Sequence, residues 1–308
     1  LRDRFRSSPI SGPSDKFLCR TFQTQTIDDL WQAIANQPYP VATVISAPGH
    51  FEKTAPEEAK RVRVAAGRSM AYKVDVLGSG KVRLETPLNW MADFKNGVTW
   101  PVSFFRDIHV QDAGRRSDIK VPWELSRLQW LLPTGQAYII EKKEEYALQA
   151  RVIIEDWING NPICLGPNWH CPMDVALRAI SICWLFNAFY ESNSWNDQIF
   201  YDKLIVQLYL HAIFILKNLE WSDVNGNHLV TNLTGLIIIS ILLGNRGEAA
   251  TWGENAWQIL VDELPKQVPN DGVCREASIP YHRLVSELFL LPALARDAAG
   301  LSVDPTIW

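Results

Sequence analysis

The chain has 308 residues, 47% of them hydrophobic and 21% charged, with a formal net charge of -4. That length and apolar fraction can bury a sizeable core, enough for one large domain or two smaller ones. The slight acidity argues against a basic nucleic-acid surface, so nucleic acid is not an expected partner.

Residues 1–85 are mixed in character, with breaks at Pro9, Gly12, Pro13, Pro38, Pro40 and Pro48 and one expected helix over 55–72. They read as an accessory segment ahead of a main domain at 86–308. From 86 to 120 the sequence is loop-like and aromatic, with Trp90, Phe94, Trp100, Phe104 and Phe105 set among Gly, Asn and Asp. Such a stretch either lines a groove or braces the domain.

After Lys120 the pattern becomes helical, with segments expected over 122–140, 143–159, 172–190, 195–219, 228–243, 247–264 and 281–299. Short breaks such as Asn159-Gly160-Asn161-Pro162, Asn225-Gly226 and Asn270-Asp271-Gly272 make neighbouring helices antiparallel hairpins. No strand-rich region separates them. The fold class expected is all-α, with stacked hairpins forming a solenoid or a closed toroid.

In an up-and-down series alternate helices start at the same end. The entrances of the first, third, fifth and seventh helices carry Trp123, Glu124 and Arg127, then Asn168, Trp169 and Arg178, then Asn227 and His228, then Tyr281 and His282. Amide, imidazole, phenol, indole and guanidinium groups collected in this way suit a cleft for a polar polymer. Helix N-termini add N–H groups and a positive dipole end that favour a carboxylate or sulfate. Each residue also has a plainer reading: Asn227 as a helix cap, Glu124 with Arg127 and Asp174 with Arg178 as ion pairs, and most of the thirteen Trp as core.

Five cysteines, Cys19, Cys164, Cys171, Cys183 and Cys274, show no C-x-x-C pairing and suggest no disulfide framework. His170 and Cys171 near Cys164 match no zinc spacing, so neither metal nor cofactor is expected. The apolar runs 229–243 and 284–294 are too short to span a bilayer, and no membrane insertion is expected. The first residue is Leu1 rather than Met, so the natural start and any leader are expected to lie upstream.

Several segments, taken in order, resemble one family. Asp118 to Arg127, Asn168-Trp169 followed by Met173-Asp174-Val175-Ala176-Leu177-Arg178-Ala179, Asn227-His228-Leu229 followed by Asn232-Leu233-Thr234-Gly235, and Glu276-Ala277-Ser278 followed by Tyr281-His282-Arg283-Leu284 are similar to stretches of the heparinase II/III family of polysaccharide lyases. The resemblance runs from about Leu77 to about Leu294. It implies an incomplete α/α toroid followed by a β-sandwich, with substrate held between them. No sandwich follows the last helix of this chain, which implies either a fragment or a toroid-only form; the missing Met favours a fragment, and the chain alone is expected to be weak or inactive.

The resemblance further implies β-elimination on a uronic-acid polymer, such as heparan sulfate or alginate, by a periplasmic or secreted protein. That reaction needs neutralisation of the carboxylate, removal of the C5 proton and protonation of the C4 oxygen. Asn227 is implied as the carboxylate ligand, His228 as a second neutralising group or the base, and Tyr281 as the acid or as both acid and base. Trp123, Glu124, Arg127, Asn168, Trp169, Arg178 and His282 are implied on the substrate-binding side. Two other readings remain: a non-catalytic glycan-binding toroid, and a toroidal hydrolase using carboxylates among Glu124, Asp174 and Glu276.

Overall fold

A computed structural model describes residues 13–35, 48–110, 114 and 116–308. The sequence breaks noted at Pro9, Gly12, Pro38 and Pro40 lie outside them. Strands among the described residues are confined to two antiparallel pairs of two residues each, β1 (Lys73–Val74) with β2 (Val82–Arg83) and β3 (Ala92–Asp93) with β4 (Val98–Thr99). Everything else of regular structure is helical, as expected.

The chain divides into two compact units. Among the described residues, the first contains those between 48 and 207 and the second 13–35 together with 208–308. The sequence boundary at 85/86 thus lies inside the first unit, and an early segment belongs with the C-terminal helices. In that segment α1 (Asp15–Thr21) and α2 (Ile27–Ala35) are helices the sequence reading did not anticipate. Their starts have local causes. Ser14 accepts a hydrogen bond from Phe17 N, and Thr26 and Asp29 cap each other reciprocally at 2.9 and 3.0 Å.

In the first unit, α3 (Pro48–Thr54) is followed by α4 (Pro56–Met70), close to the expected 55–72. The single helix expected over 122–140 is instead broken into α5 (Lys120–Ser126), a 3₁₀ turn at Gln129–Leu131 and α6 (Leu132–Glu141). The break falls at Leu128, whose φ of 58° takes the chain out of the right-handed helix, and Pro133 then opens α6. α7 (Glu144–Gly160) and α8 (Pro172–Phe189) follow, and α6 packs against α4, α7 and α8. The aromatic stretch after Thr86 braces this unit: Trp90, Trp100 and Phe105 are buried, and Trp90 Nε1 donates to Asp156 at 2.8 Å.

α9 (Gln198–Lys217) is long and apolar enough to cross a membrane by length and composition, but half of its apolar window is buried within the folded chain. In the second unit α10 (Asn227–Leu242) is the central element, flanked by α11 (Gly247–Gln267) and α12 (Ile279–Ala298). Its residues beyond His228 are all buried, which is why the sequence there is apolar on every face. Close approach to α11 requires Gly253, where a Cβ would lie 2.4 Å from Ser240 Oγ. The Thr234 hydroxyl reaches the Leu288 carbonyl at 2.8 Å and fixes α10 against α12.

Candidate functional site

The residues singled out from the sequence fall into two clusters, one in each unit. In the first unit, Trp123 on α5 donates from Nε1 to the Pro167 carbonyl at 2.8 Å and stacks on His170 with ring centroids 5.8 Å apart. Arg127 donates from Nε to Asp174 at 2.5 Å and from Nη1 to Glu124, so one guanidinium serves two carboxylates. The C-terminal end of α5 and the start of α8 are therefore brought together. Burial, together with the charge of Asp174, raises the Glu124 pKa despite the adjacent Arg127. The Glu124–Arg127 ion pair read from the sequence is present; Arg127 also donates to Asp174, whose charge in turn acts on Arg178.

Three of the expected binding residues are in the core of that unit. Arg178 is fully buried, its guanidinium 4.1 Å from the Trp157 ring and 5.2 Å from the Trp169 ring. Burial depresses its pKa to about 9, with Asp174 opposing the shift. Trp169 is buried and donates to the Asn161 carbonyl at 3.3 Å, while Asn168 Nδ2 donates to the Trp90 carbonyl at 2.8 Å and to Asn161 Oδ1 at 2.7 Å. Asn168 thus ties the segment ahead of α8 to the aromatic brace and Trp169 ties it to the end of α7, because buried amide and indole N–H groups must find acceptors.

In the second unit, the polar turn before α10 opens into a cavity of about 780 Å³. Its lining includes Glu220, Trp221, Asn227, His228, Arg275 and Glu276. Asn227 is the first residue of α10 and not its cap, a position held by Gly226, which has no side chain to offer. The cap function comes from a distant carboxylate: Glu276 Oε1 accepts from the Asn227 backbone N at 2.9 Å, and both Glu276 oxygens accept from Asn227 Nδ2 at 2.8 Å. The helix N-terminus expected to receive a ligand's anion is thus occupied by the protein's own anion.

His228 is 52% exposed, and its Nδ1 lies 2.8 Å from Glu220 Oε1. A carboxylate only accepts, so Nδ1 carries the proton in this contact and Nε2 carries the lone pair of a neutral ring. Glu220 is itself fixed by Asn232, which donates to Oε2 at 3.1 Å and accepts from the Glu220 backbone N at 3.0 Å. Tyr281 and His282 stand on the first turn of α12. Tyr281 is 46% exposed; His282 is half-buried and accepts from Cys274 N through Nδ1 at 3.2 Å. Neither is among the residues lining the cavity. The structure therefore gives His282 a bracing contact to the turn that carries Glu276.

The sequence reading passed over Trp221 and Glu220. Trp221 is 55% exposed at the cavity rim. The available signal was an indole standing directly before the polar run Ser222 to His228, where a core residue has no apolar neighbours to join.

The sequence profile of the heparinase II/III N-terminus matches residues 80–303. The chain belongs to the heparinase II/III family. A heparin-sulfate lyase of Bacteroides stercoris is 28% identical over 204 residues, which are 59% of this chain and 30% of that protein. A heparin-sulfate lyase of Bacteroides thetaiotaomicron is 27% identical over 164 residues, 52% of this chain and 23% of that protein. This heparinase II/III chain thus spans about a third or less of the curated relatives it matches.

Among solved structures, heparan sulfate lyase HepC from Pedobacter heparinus aligns with a TM-score of 0.57 at 21% identity, covering 79% of this chain and 35% of that one. A heparinase III gene product with methylated lysines aligns at 0.56 and 24% identity, covering 78% and 37%. Likeness at these identities shows the fold, and the fold belongs to the α/α-toroid class expected from the resemblance. The β-sandwich that the resemblance implies is not among the described residues of this family member.

Proposed function

We propose that this chain provides the helical, substrate-binding part of a lyase that cleaves an acidic, uronic-acid-containing glycosaminoglycan or related polysaccharide by β-elimination. The observation that carries the reading is the joint presence of Asn227, His228 and Arg275 on one cavity wall, in a chain whose curated relatives are heparin-sulfate lyases. Asn227 is the carboxylate ligand in this reading, and hydrogen bonding there stabilises the enolate-like state that forms as C5 loses its proton. His228 is the base, since Glu220 leaves its lone pair on Nε2. Tyr281, exposed at the start of α12, is the acid toward the leaving C4 oxygen. Trp221 offers an apolar face for a sugar ring at the rim. The setting is periplasmic or secreted.

A hydrolase would use two positioned carboxylates, and Glu220 and Glu276 both line the cavity. Their oxygens are already committed, to His228 and Asn232 and to Asn227 respectively. The lyase reading is therefore preferred. The test is incubation with heparan sulfate and alginate while following the ultraviolet absorbance of the new conjugated double bond. Asn227→Ala and Tyr281→Phe are expected to remove most of any unsaturated product. Cleavage without unsaturation identifies a hydrolase, and oligosaccharide binding without cleavage identifies a glycan-binding module.

A further inference from the structure

We propose that Glu276 is the positioning residue of the site: it orients the Asn227 amide so that one N–H is anchored to the protein and the other is presented to the ligand's carboxylate. This inference rests on the reading of Asn227 as that carboxylate's partner.

An asparagine amide has no inherent orientation that coordinates alone establish, since its oxygen and nitrogen are alike in shape. Here chemistry fixes it. A carboxylate has only acceptor atoms, so the group facing Glu276 is the amide nitrogen. That nitrogen is 2.8 Å from both Glu276 oxygens. Equal distances place it midway between the two oxygens, so a single N–H directed between them serves both. The second N–H of a planar amide diverges from the first and points away from Glu276. Asn227 itself is only 7% exposed and lines the cavity, and its Oδ1 has no hydrogen-bond partner. The capacity that suits a carboxylate is the second Nδ2 N–H, since Oδ1 is an acceptor and offers an anion no proton.

Glu276 is in turn held from several sides. Arg275 N donates to the Gln267 carbonyl at 2.8 Å, Ala277 N to the Cys274 carbonyl at 3.0 Å, and Cys274 N to His282 Nδ1 at 3.2 Å. Ala277 occupies the left-handed region at φ 50°, an uncommon conformation for a residue with a Cβ, and one that persists where the surroundings enforce it. Gly226 completes the arrangement: a Cβ there would stand 3.3 Å from Glu276 Oε1. The segment 274–282 thus acts as a rigid arm that delivers one carboxylate to the first residue of α10.

The arrangement has an electrostatic cost, because Glu276 places a negative charge near an anionic ligand. Orientation and charge are separated by comparing Glu276→Gln with Glu276→Ala. Both lack the charge, but the Gln oxygen still accepts from Asn227. Affinity for a heparan-sulfate-derived oligosaccharide, measured by titration calorimetry on the 308-residue chain, is expected to be about three- to tenfold weaker in Glu276→Ala than in Glu276→Gln, the cost of ordering one side chain on binding. In an Asn227→Ala background that difference vanishes. The Asn227 side-chain amide protons, followed by nuclear magnetic resonance, stay inequivalent and slowly exchanging in wild type and Glu276→Gln and lose that signature in Glu276→Ala.

Gly226→Ala retains the charge and crowds Oε1, so it is expected to weaken binding even where Glu276→Ala does not fold. Equal affinity of Glu276→Ala and Glu276→Gln, with Asn227→Ala impaired, overturns the positioning role alone. Wild-type affinity in Asn227→Ala overturns the site reading, and absence of binding by the wild-type chain overturns both.

Discussion

Arg127, which caps the C-terminal end of α5, lies 2.5 Å from Asp174 at the start of α8 and also holds Glu124 of α5. One cation, four-fifths buried, thus stands between two carboxylates, of which Asp174 is almost fully buried. Removing the cation without removing either anion leaves like charges facing each other in a poorly hydrated place. Arg127→Met is therefore expected to destabilise the chain by about 3–5 kcal/mol, the usual cost of stranding a buried charge. Urea unfolding at neutral pH measures it. A loss no larger than that of an exposed pair shows that the cluster is hydrated.

The same cluster predicts a pH dependence. Burial raises the Glu124 pKa above its ordinary value, Arg127 opposes that shift, and Asp174 adds to it. The folded state accordingly favours the protonated form. Its contribution to stability is fully present below the unfolded pKa and is lost as pH rises through the raised folded pKa. Glu124→Gln has no such loss, so its stability relative to wild type should increase as pH climbs through and above the carboxylate range. Thermal melts of both proteins across that range test the sign. A constant difference at every pH contradicts it.

The helical class and most helix positions were legible because long apolar runs at helical spacing leave little choice of structure. The segment expected over 143–159 forms as Glu144–Gly160, and 172–190 forms as Pro172–Phe189. The break at Leu128 was not legible, since nothing in a leucine announces a left-handed φ. α1 and α2 were missed although Thr26 and Asp29 carry a capping signal, because short helices add little periodicity. At the site, residue types identified the polar turns, but burial decided their use. Arg178 suits an anion by charge, yet it lies between two indoles, and cation–π contact accounts for its place there. The Glu276 contact to Asn227 spans 49 residues and has no local signature.

Acid should loosen the turn that carries the site. Burial by itself raises the pKa of Glu263, but hydrogen bonds from Lys266, Asn225 and Gln267 outweigh it, and the net shift is downward. Glu263 Oε1 accepts from Asn225 Nδ2 at 3.0 Å, and Gln267 Nε2 donates to the Asn225 carbonyl at 2.6 Å, so this carboxylate secures the residues just ahead of Gly226. A depressed pKa means stability that is complete above the unfolded Glu value and is lost as pH falls through the folded one. Glu263→Gln is expected to be less stable than wild type at neutral pH and to lose less on acidification. Hydrogen exchange at Asn225 and Asn227 locates the change. Identical acid sensitivity in the two proteins contradicts the assignment.

Trp221 separates a surface accident from a binding platform. An indole that is 55% exposed contributes little to the folded state, so Trp221→Ala should change stability by no more than about 0.5 kcal/mol. Its position on the rim of the cavity shared with Asn227 and His228 gives it a different role once a polymer is bound. A sugar ring laid on the indole face removes apolar surface from water on both partners, and loss of that contact should weaken binding of a heparan-sulfate-derived oligosaccharide by about tenfold. Trp221→Phe keeps an aromatic face and should recover most of the affinity. Trp308, exposed and not among the cavity's lining residues, is the control: Trp308→Ala should leave the affinity unchanged. Equal affinities for Trp221→Ala and wild type remove the indole from the binding surface, whereas a loss shared by Trp221→Ala and Trp308→Ala marks a general effect of removing exposed aromatic surface.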